Sequence, residues 1–443
     1  MWKFSVPTGT RAVIFRNVAW SLVAKIVGLI SALLVGIMVA RYLGPEQYGL
    51  MNYVVSFVWL FLIIATFGFE NIEIREEAKR NDERDKIIGT TFVMRLVLSV
   101  AAILMIWLAA YLNEADSYTI SLIMIYSVYI IMTPFDVIRN YFTSQVQNEY
   151  IAKVGICRTV FSCLLKVLLL WLHASLTWFI VSLVVDAAVL AQGYCYVYRR
   201  KQGKMRAWKF DKGWAKYMLR QSFPLLFSGA AAIALLKLDQ IMIGNMIDKT
   251  SVGYFSIASR FVEVLIYVPT VLIQTVCPLL VRLRKENMTE YVKKAQQFLN
   301  ITVWLCVMMA VALSVSSYYL VILTFGMQYV NAVAVLHILA FKLIGVSLNN
   351  VSGQLLIIDG KQDLLMLRSL SGCVVCVALN YMIIPFYGIT GVAFAAIITQ
   401  LVAGFLIHSI VPPYRYVFKM QVKCLLLGWR DLSKLKSLLV YKK

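Results

Sequence analysis

The sequence predicts an all-α, polytopic membrane protein whose twelve transmembrane helices form two parallel six-helix bundles. Three observations carry this. The 443 residues are 61% hydrophobic and 15% charged, against roughly 45–50% apolar and 25% charged in soluble globular chains. The apolar residues gather into runs long enough to cross a bilayer. The basic residues between those runs alternate in density, as the positive-inside rule requires.

The runs of the first half stand at 18–40, 50–69, 90–112, 118–138, 154–172 and 178–197. Those of the second half stand at 222–246, 252–281, 299–323, 333–358, 364–385 and 390–411. The first is too long for the roughly 7–15-residue apolar core of a signal peptide and reads as span one. With the N-terminus inside, the cytoplasmic segments hold 34 of the 43 Lys and Arg, while the outer loops hold Arg41 and Lys249. A missed span would invert this alternation downstream, so an even number of crossings, with both termini cytoplasmic, rests on charge as well as hydropathy.

A shift of 204 residues lays Gly49-Leu50-Met51-Asn52-Tyr53 and Phe57 on Gly253-Tyr254-Phe255-Ser256-Ile257 and Phe261, with Ile37 on Ile241 and Met38 on Met242. Both segments sit where the first and second spans of a half meet, and six spans per half make the halves parallel repeats. The expected organisation is a cytoplasmic N-terminal segment (1–17), a first bundle (18–198), a basic cytoplasmic linker (199–221), a second bundle (222–411) and a cytoplasmic tail (412–443). In the tail, Leu425, Trp429, Leu432, Leu435 and Leu439 recur at helical spacing, with Arg430, Lys434 and Lys436 between them. This pattern predicts an amphipathic helix along the inner membrane surface.

Several function classes are excluded. The net charge of +21 does not imply nucleic acid, because the basic residues lie between apolar runs and form no soluble face. His173, His337 and His408 are scattered and suggest no metal centre. Of the eight cysteines, seven lie in apolar runs, and Cys373 with Cys376 is a CxxC inside a span, which a helix merely stacks. No phosphate-binding loop is present, since Gly203-Lys204 is followed by Met205 and Gly360-Lys361 by Gln362. Energy would come from an H+ or Na+ gradient, with no cofactor. Outer loops as short as 113–117 leave no room for an extracytoplasmic catalytic domain, so the chain reads as a transporter and not an enzyme.

Ionisable residues inside a bilayer are costly and become site candidates by default. The deep set is Lys166 in span five, Asp186 in span six, Lys237 and Asp239 in span seven, Arg260 and Glu263 in span eight, and Lys342 in span ten. Lys25, Arg95 and Arg158 lie nearer the inner boundary, where Arg95 and Arg158 favour snorkelling. Arg260 and Glu263 are spaced i,i+3 and can pair on one helix. Lys237 and Asp239 are spaced i,i+2 and must look in different directions. With Lys25, Arg95 and Arg158 included, cations exceed anions by four, or by three once Asp136 is counted. A cationic lumen favours an anionic substrate, with phosphate foremost. The candidate substrate-binding cations are Lys25, Arg158, Lys166, Lys237, Arg260 and Lys342; Asp186, Asp239 and Glu263 are candidates for ion coupling or charge pairing. Pro134, Pro224, Pro269 and Pro278 mark kinks, and Gly388, Gly391 and Ala395 mark a face for close helix packing.

Specific strings resemble a family. Ala40-Arg41-Tyr42-Leu43-Gly44-Pro45-Glu46-Gln47-Tyr48-Gly49 is similar to the signature of the polysaccharide-transporter (Wzx-type) flippases of the multidrug/oligosaccharidyl-lipid/polysaccharide (MOP) exporter superfamily. Asn17 precedes it. Leu238-Asp239-Gln240-Ile241-Met242-Ile243-Gly244, Val252-Gly253-Tyr254-Phe255-Ser256-Ile257-Ala258, Phe325-Gly326-Met327-Gln328-Tyr329 and the stretch from Asn380 through Pro385 and Gly388 to Ala393 follow in family order. Ile384 stands where Leu is usual, and Val392 where Ala is common. The resemblance implies two six-helix bundles around a central cavity. It also implies the alternating-access flipping of undecaprenyl-diphosphate-linked oligosaccharides across the bacterial inner membrane for O-antigen or capsule. Expected partners are that lipid-linked anionic substrate, membrane lipids, and a glycan polymerase with its assembly proteins. Only Asn17, Arg41, Asp239 and the turn glycines Gly44, Gly49 and Gly253 map onto family strings; the lysines and arginines of the spans are nominated by depth and sign. An ion-coupled small-molecule exporter of the same superfamily is the alternative.

Overall fold

The computed structural model describes residues 8–203, 205–361 and 365–434. It is almost wholly helical: α1 (Thr8–Thr66), α2 (Glu70–Lys79), α3 (Arg84–Leu112), α4 (Ser117–Met132), α5 (Asp136–Ser144), α6 (Asn148–Trp171), α7 (Leu176–Lys201), α8 (Lys212–Met246), α9 (Lys249–Glu286), α10 (Met288–Phe325), α11 (Asn331–Leu339), α12 (Lys342–Ile358), α13 (Leu365–Leu401), α14 (Ile407–Ile410) and α15 (Arg415–Leu427). Among the described residues, ten helical stretches are long and apolar enough to cross a membrane. Two of these, Ala19–Lys79 and Met366–Ile410, run to 61 and 45 residues, about two to three bilayer thicknesses at 1.5 Å per residue. Each is broken by a glycine at positive φ, Gly44 (72°) and Gly388 (56°), a backbone state that L side chains resist. Each therefore holds two spans, and the twelve expected spans are recovered. Gly388 thus serves as a turn residue, not as the helix-packing contact its small size suggested.

Two spans are discontinuous. Span four breaks at Thr133-Pro134-Phe135 between α4 and α5, where Pro134 cannot continue the helical ladder. Span ten breaks at Ala340 and Phe341, so Lys342 opens α12 deep in the span rather than decorating a continuous helix.

The chain divides into two compact units, Met1–Gly44 with Val54–Ala230, and Pro45–Tyr53 with Ala231–Lys443. In unit 1, α3, α4, α7 and α6 pack in series, and one core joins Ile88, Val137, Ile138, Tyr141, Phe142, Val154, Tyr194 and Tyr198. Asn17 acts as a tertiary cap. Its Oδ1 accepts from the Glu149 N–H at 2.9 Å, satisfying a donor in the first turn of α6, while its Nδ2 donates to Val146 O. The basic stretch 199–221 ends α7 and begins α8, and its middle lies on unit 1. Lys209 N–H donates to Asp85 O at 3.1 Å, and the Trp214 indole donates to Glu83 at 2.7 Å. Gly89 permits this path, because a Cβ there would stand 2.6 Å from the Lys209 backbone nitrogen.

In unit 2, α9, α10 and α12 pack around Leu280, Phe298, Leu299, Leu348, Val351 and Leu355. The two glycines matched by the 204-residue repeat meet here. A Cβ on Gly49 would fall 1.7 Å from Lys249 O, and one on Gly253 would fall 2.1 Å from Pro45 O, so only glycine allows the two backbones this close. Tyr329, fully buried, then gathers the rings of Tyr48, Tyr254 and Phe325 at 6.4, 6.2 and 5.9 Å. Three family strings converge on one aromatic cluster, which gives them a structural role.

The described part of the tail is helical, and one of its faces docks on the protein. Helix α15 packs on α10 and buries Val417, Gln421 and Cys424, whereas Leu425 and Trp429 of the expected stripe are 39% and 54% exposed; Leu435, Lys436 and Leu439 lie outside the described residues. Polar pairing decides the docked face. Gln421 Nε2 donates to Gly404 O at 2.7 Å, within a π-helical turn of the last span (Val402–Leu406). The amide oxygen of Gln421 is left to accept from His408 Nδ1–H at 3.0 Å. A hydropathy stripe has no means of registering such a clamp.

Candidate functional site

In unit 1, α4, α6 and α7 enclose a cavity of about 220 Å³ lined by Trp59, Tyr126, Tyr129, Thr133, Asp136, Arg158, Asp186 and Tyr194, among others. The break in span four opens this space, because Met132 and Thr133 at its edge line the wall. Its aromatic side is ordered: Tyr126 and Tyr129 stack with centroids 5.5 Å apart, and the Trp59 indole donates to the Tyr126 hydroxyl at 3.1 Å.

Charges in the cavity are unevenly matched. Asp186 accepts from Lys166 Nζ at 2.8 Å and from Ser162 Oγ at 2.7 Å, and Asp136 faces Arg139 at 3.9 Å. Arg158 makes no ion pair among the described residues, and its buried Nε has no hydrogen-bond partner. Arg158 thus lines the cavity, whereas its depth suggested snorkelling. A guanidinium with an unused donor beside aromatic faces suits an oxyanion attached to a sugar ring. Space of this size holds one such element, not an oligosaccharide.

Unit 2 holds a second set, in which the i,i+2 residues Lys237 and Asp239 look in different directions. Asp239 faces α12 and α13, accepting from Asn380 Nδ2 at 2.8 Å and lying 3.9 Å from Lys342 Nζ. Lys237 turns instead toward Arg260 and Glu263 of α9, with both in electrostatic reach. The unit 2 excess therefore resides in the Lys237–Arg260–Glu263 group. Lys25 and Arg41 have exposed side chains.

Two sequence expectations change. Arg95 does not snorkel; it is 1% exposed and donates to Glu73, 0% exposed, at 2.8 Å. The cation excess is also smaller by one than the spans alone suggested, because Glu73 neutralises Arg95; the Lys166–Asp186 and Lys342–Asp239 pairs were already balanced in that count. Glu73 escaped notice because it lies beyond the apolar run of span two. The cavity aromatics Trp59, Tyr126, Tyr129 and Tyr194 escaped it too, since aromatic residues in apolar spans carry no distinguishing signal.

Residues 14–284 match the model of the family described as polysaccharide biosynthesis protein. The chain is 22% identical over 406 residues to the capsular polysaccharide biosynthesis protein CapF of Staphylococcus aureus, covering 88% of this chain and 96% of that protein. Among solved structures it resembles the lipid II flippase MurJ in an inward closed conformation, with a TM-score of 0.73 at 14% identity over 94% of this chain and 91% of that one. It also resembles the inward-facing conformation of a multidrug resistance MATE family transporter of the MOP superfamily, with a TM-score of 0.69 at 15% identity over 93% and 96%. These likenesses show that the chain shares the fold of those two proteins, and the ten long apolar helical stretches among its described residues make it a multi-pass membrane protein. By the match over most of its length, the chain belongs to the polysaccharide biosynthesis protein family.

Proposed function

We propose that this protein is a flippase that moves undecaprenyl-diphosphate-linked oligosaccharide units across the bacterial inner membrane, from a cytoplasmic face that carries both termini. The observation that carries the reading is the unit 1 cavity, where Arg158 keeps a donor unused beside stacked aromatic rings. A guanidinium binds phosphate oxygens and aromatic faces bind sugar rings, so one wall accepts both parts of a glycosyl-diphosphate headgroup. Family membership and a capsule-biosynthesis relative support this substrate class. The fold shared with a lipid II flippase supports movement of a lipid-linked cargo by alternating access. A small-molecule cation exporter fits less well, because Asp186 and Asp239 are already occupied by lysines.

Complementation of surface glycan in a strain lacking the flippase tests the reading. Arg158→Ala is expected to lower surface glycan roughly tenfold or more at normal protein level, as the loss of a charge-assisted hydrogen bond of about 1.5–3 kcal/mol implies. Arg158→Lys, which keeps the charge without the fork, is expected to fall between. Full glycan from Arg158→Ala and from Lys237→Ala would remove the basis for a cationic headgroup site.

A further inference from the structure

Helix α2 buries more acid than base. It carries Glu70, Glu73, Glu76 and Glu77, and the last three are 0%, 3% and 1% exposed. Glu73 Oε2 accepts from Arg95 at 2.8 Å and from Asn140 Nδ2. Glu76 accepts from Arg75 Nε at 2.9 Å and from the Tyr217 hydroxyl at 3.0 Å. Glu77 differs: both of its carboxyl oxygens are buried, and neither has a hydrogen-bond partner among the described residues.

The groups facing Glu77 are Glu73 on its own helix, Arg95 on α3 and Ser144 on α5. Arg95 is committed to Glu73. Ser144 lies in hydrogen-bond reach of Glu77, but its hydroxyl hydrogen goes to Tyr141 O at 2.7 Å and its oxygen accepts from Gln145 Nε2 at 3.2 Å. It can donate to Glu77 only by leaving Tyr141, whereas one lone pair stays open to accept. A carboxylate can only accept, whereas a carboxylic acid has an O–H to give. Two ionised carboxylates sharing one guanidinium in a dry site are unfavourable, and proton uptake by one of them relieves this.

We propose that Glu77 is a proton-binding carboxyl and the ion-coupling site of this chain. It holds a proton while α2 is packed on α3 and α5. It releases that proton to water when α2 parts from α5, leaving a carboxylate that Glu73 repels. The step adds or removes one proton at one carboxyl oxygen and needs no other reactant. Coupling thereby moves away from Asp186 and Asp239, which bind lysines. The proton site stands on the geometry alone; its link to export rests on the flippase reading.

The test uses the full chain in lipid nanodiscs at neutral pH, without substrate, followed by infrared spectroscopy. A protonated carboxyl C=O band is expected in the wild type, absent from Glu77→Gln and retained in Glu70→Gln. No such band, or a band that survives Glu77→Gln, overturns the site. The wild-type titration needs no variant: the band is expected to vanish as pH is raised, and one that persists unchanged to strongly alkaline pH also overturns it. In cells, Glu77→Gln at normal membrane level is expected to lose surface glycan; wild-type export from this variant overturns the coupling role. If the wild-type chain restores no glycan while the band behaves as expected, the flippase reading fails and the proton site remains.

Discussion

Replacing Arg95 by methionine isolates the ion pair that ties α2 to α3. Arg95 and Glu73 are 1% and 0% exposed and meet at 2.8 Å. At an effective dielectric of about 20, that separation corresponds to about 6 kcal/mol of attraction. The lost hydration of the two ions offsets most of it. Removing one partner keeps the hydration cost and loses the attraction, so Arg95→Met is expected to destabilise by about 3–5 kcal/mol. The double variant Arg95→Met with Glu73→Gln leaves no buried charge at the pair and still gives Asn140 an amide oxygen in place of the carboxylate that now accepts from it. It should be more stable than Arg95→Met alone, so the single effects do not add. Reversible unfolding in mixed detergent micelles reads both quantities. A cost below about 1 kcal/mol, the range of solvated surface pairs, or strict additivity of the two substitutions, refutes the argument.

Other consequences concern packing. Gly253→Ala drives a methyl to 2.1 Å from Pro45 O and is expected to cost at least about 1–3 kcal/mol as overpacking. Gly28→Ala, with nothing within 4 Å of the new atom, is expected to be neutral; melting temperatures of the purified proteins compare them. Gln421→Leu removes the donor to Gly404 O and the acceptor for His408. It is expected to cost about 1–3 kcal/mol through unsatisfied buried groups. Leu426→Ser on the opposite face, where Leu426 is 69% exposed, is expected to stay within about 0.5 kcal/mol in detergent.

Much of the architecture is legible along the chain. The apolar runs coincide with the observed helices to within a few residues at most ends, and the separate runs on either side of Gly44 and Gly388 anticipate breaks that backbone geometry makes at those glycines. The 204-residue shift matches Gly49 with Gly253, and the structure brings these two into van der Waals contact. The site is less legible. Asp186 was a candidate from depth and Arg158 from its sign, against a depth that favoured snorkelling, whereas Trp59, Tyr126 and Tyr129 look like any other span residues. In the tail, the side docked on the protein is fixed by Gln421 with His408 and Gly404, which the leucine stripe does not record.

The sequence by itself determined the membrane class, the number of crossings and the sign of the charges within the spans. Hydropathy and loop charge act through the bilayer, whose slab geometry reads only position along the chain. Tertiary structure decided which charges neutralise one another: Arg95 with Glu73, Lys166 with Asp186 and Lys342 with Asp239. Those pairings depend on the rotation of each helix about its axis and on where spans four and ten break. Both are set by side-chain packing between residues far apart in sequence, which a hydropathy profile does not contain. That selection leaves Arg158 with an unused donor and Glu77 with two unpartnered oxygens.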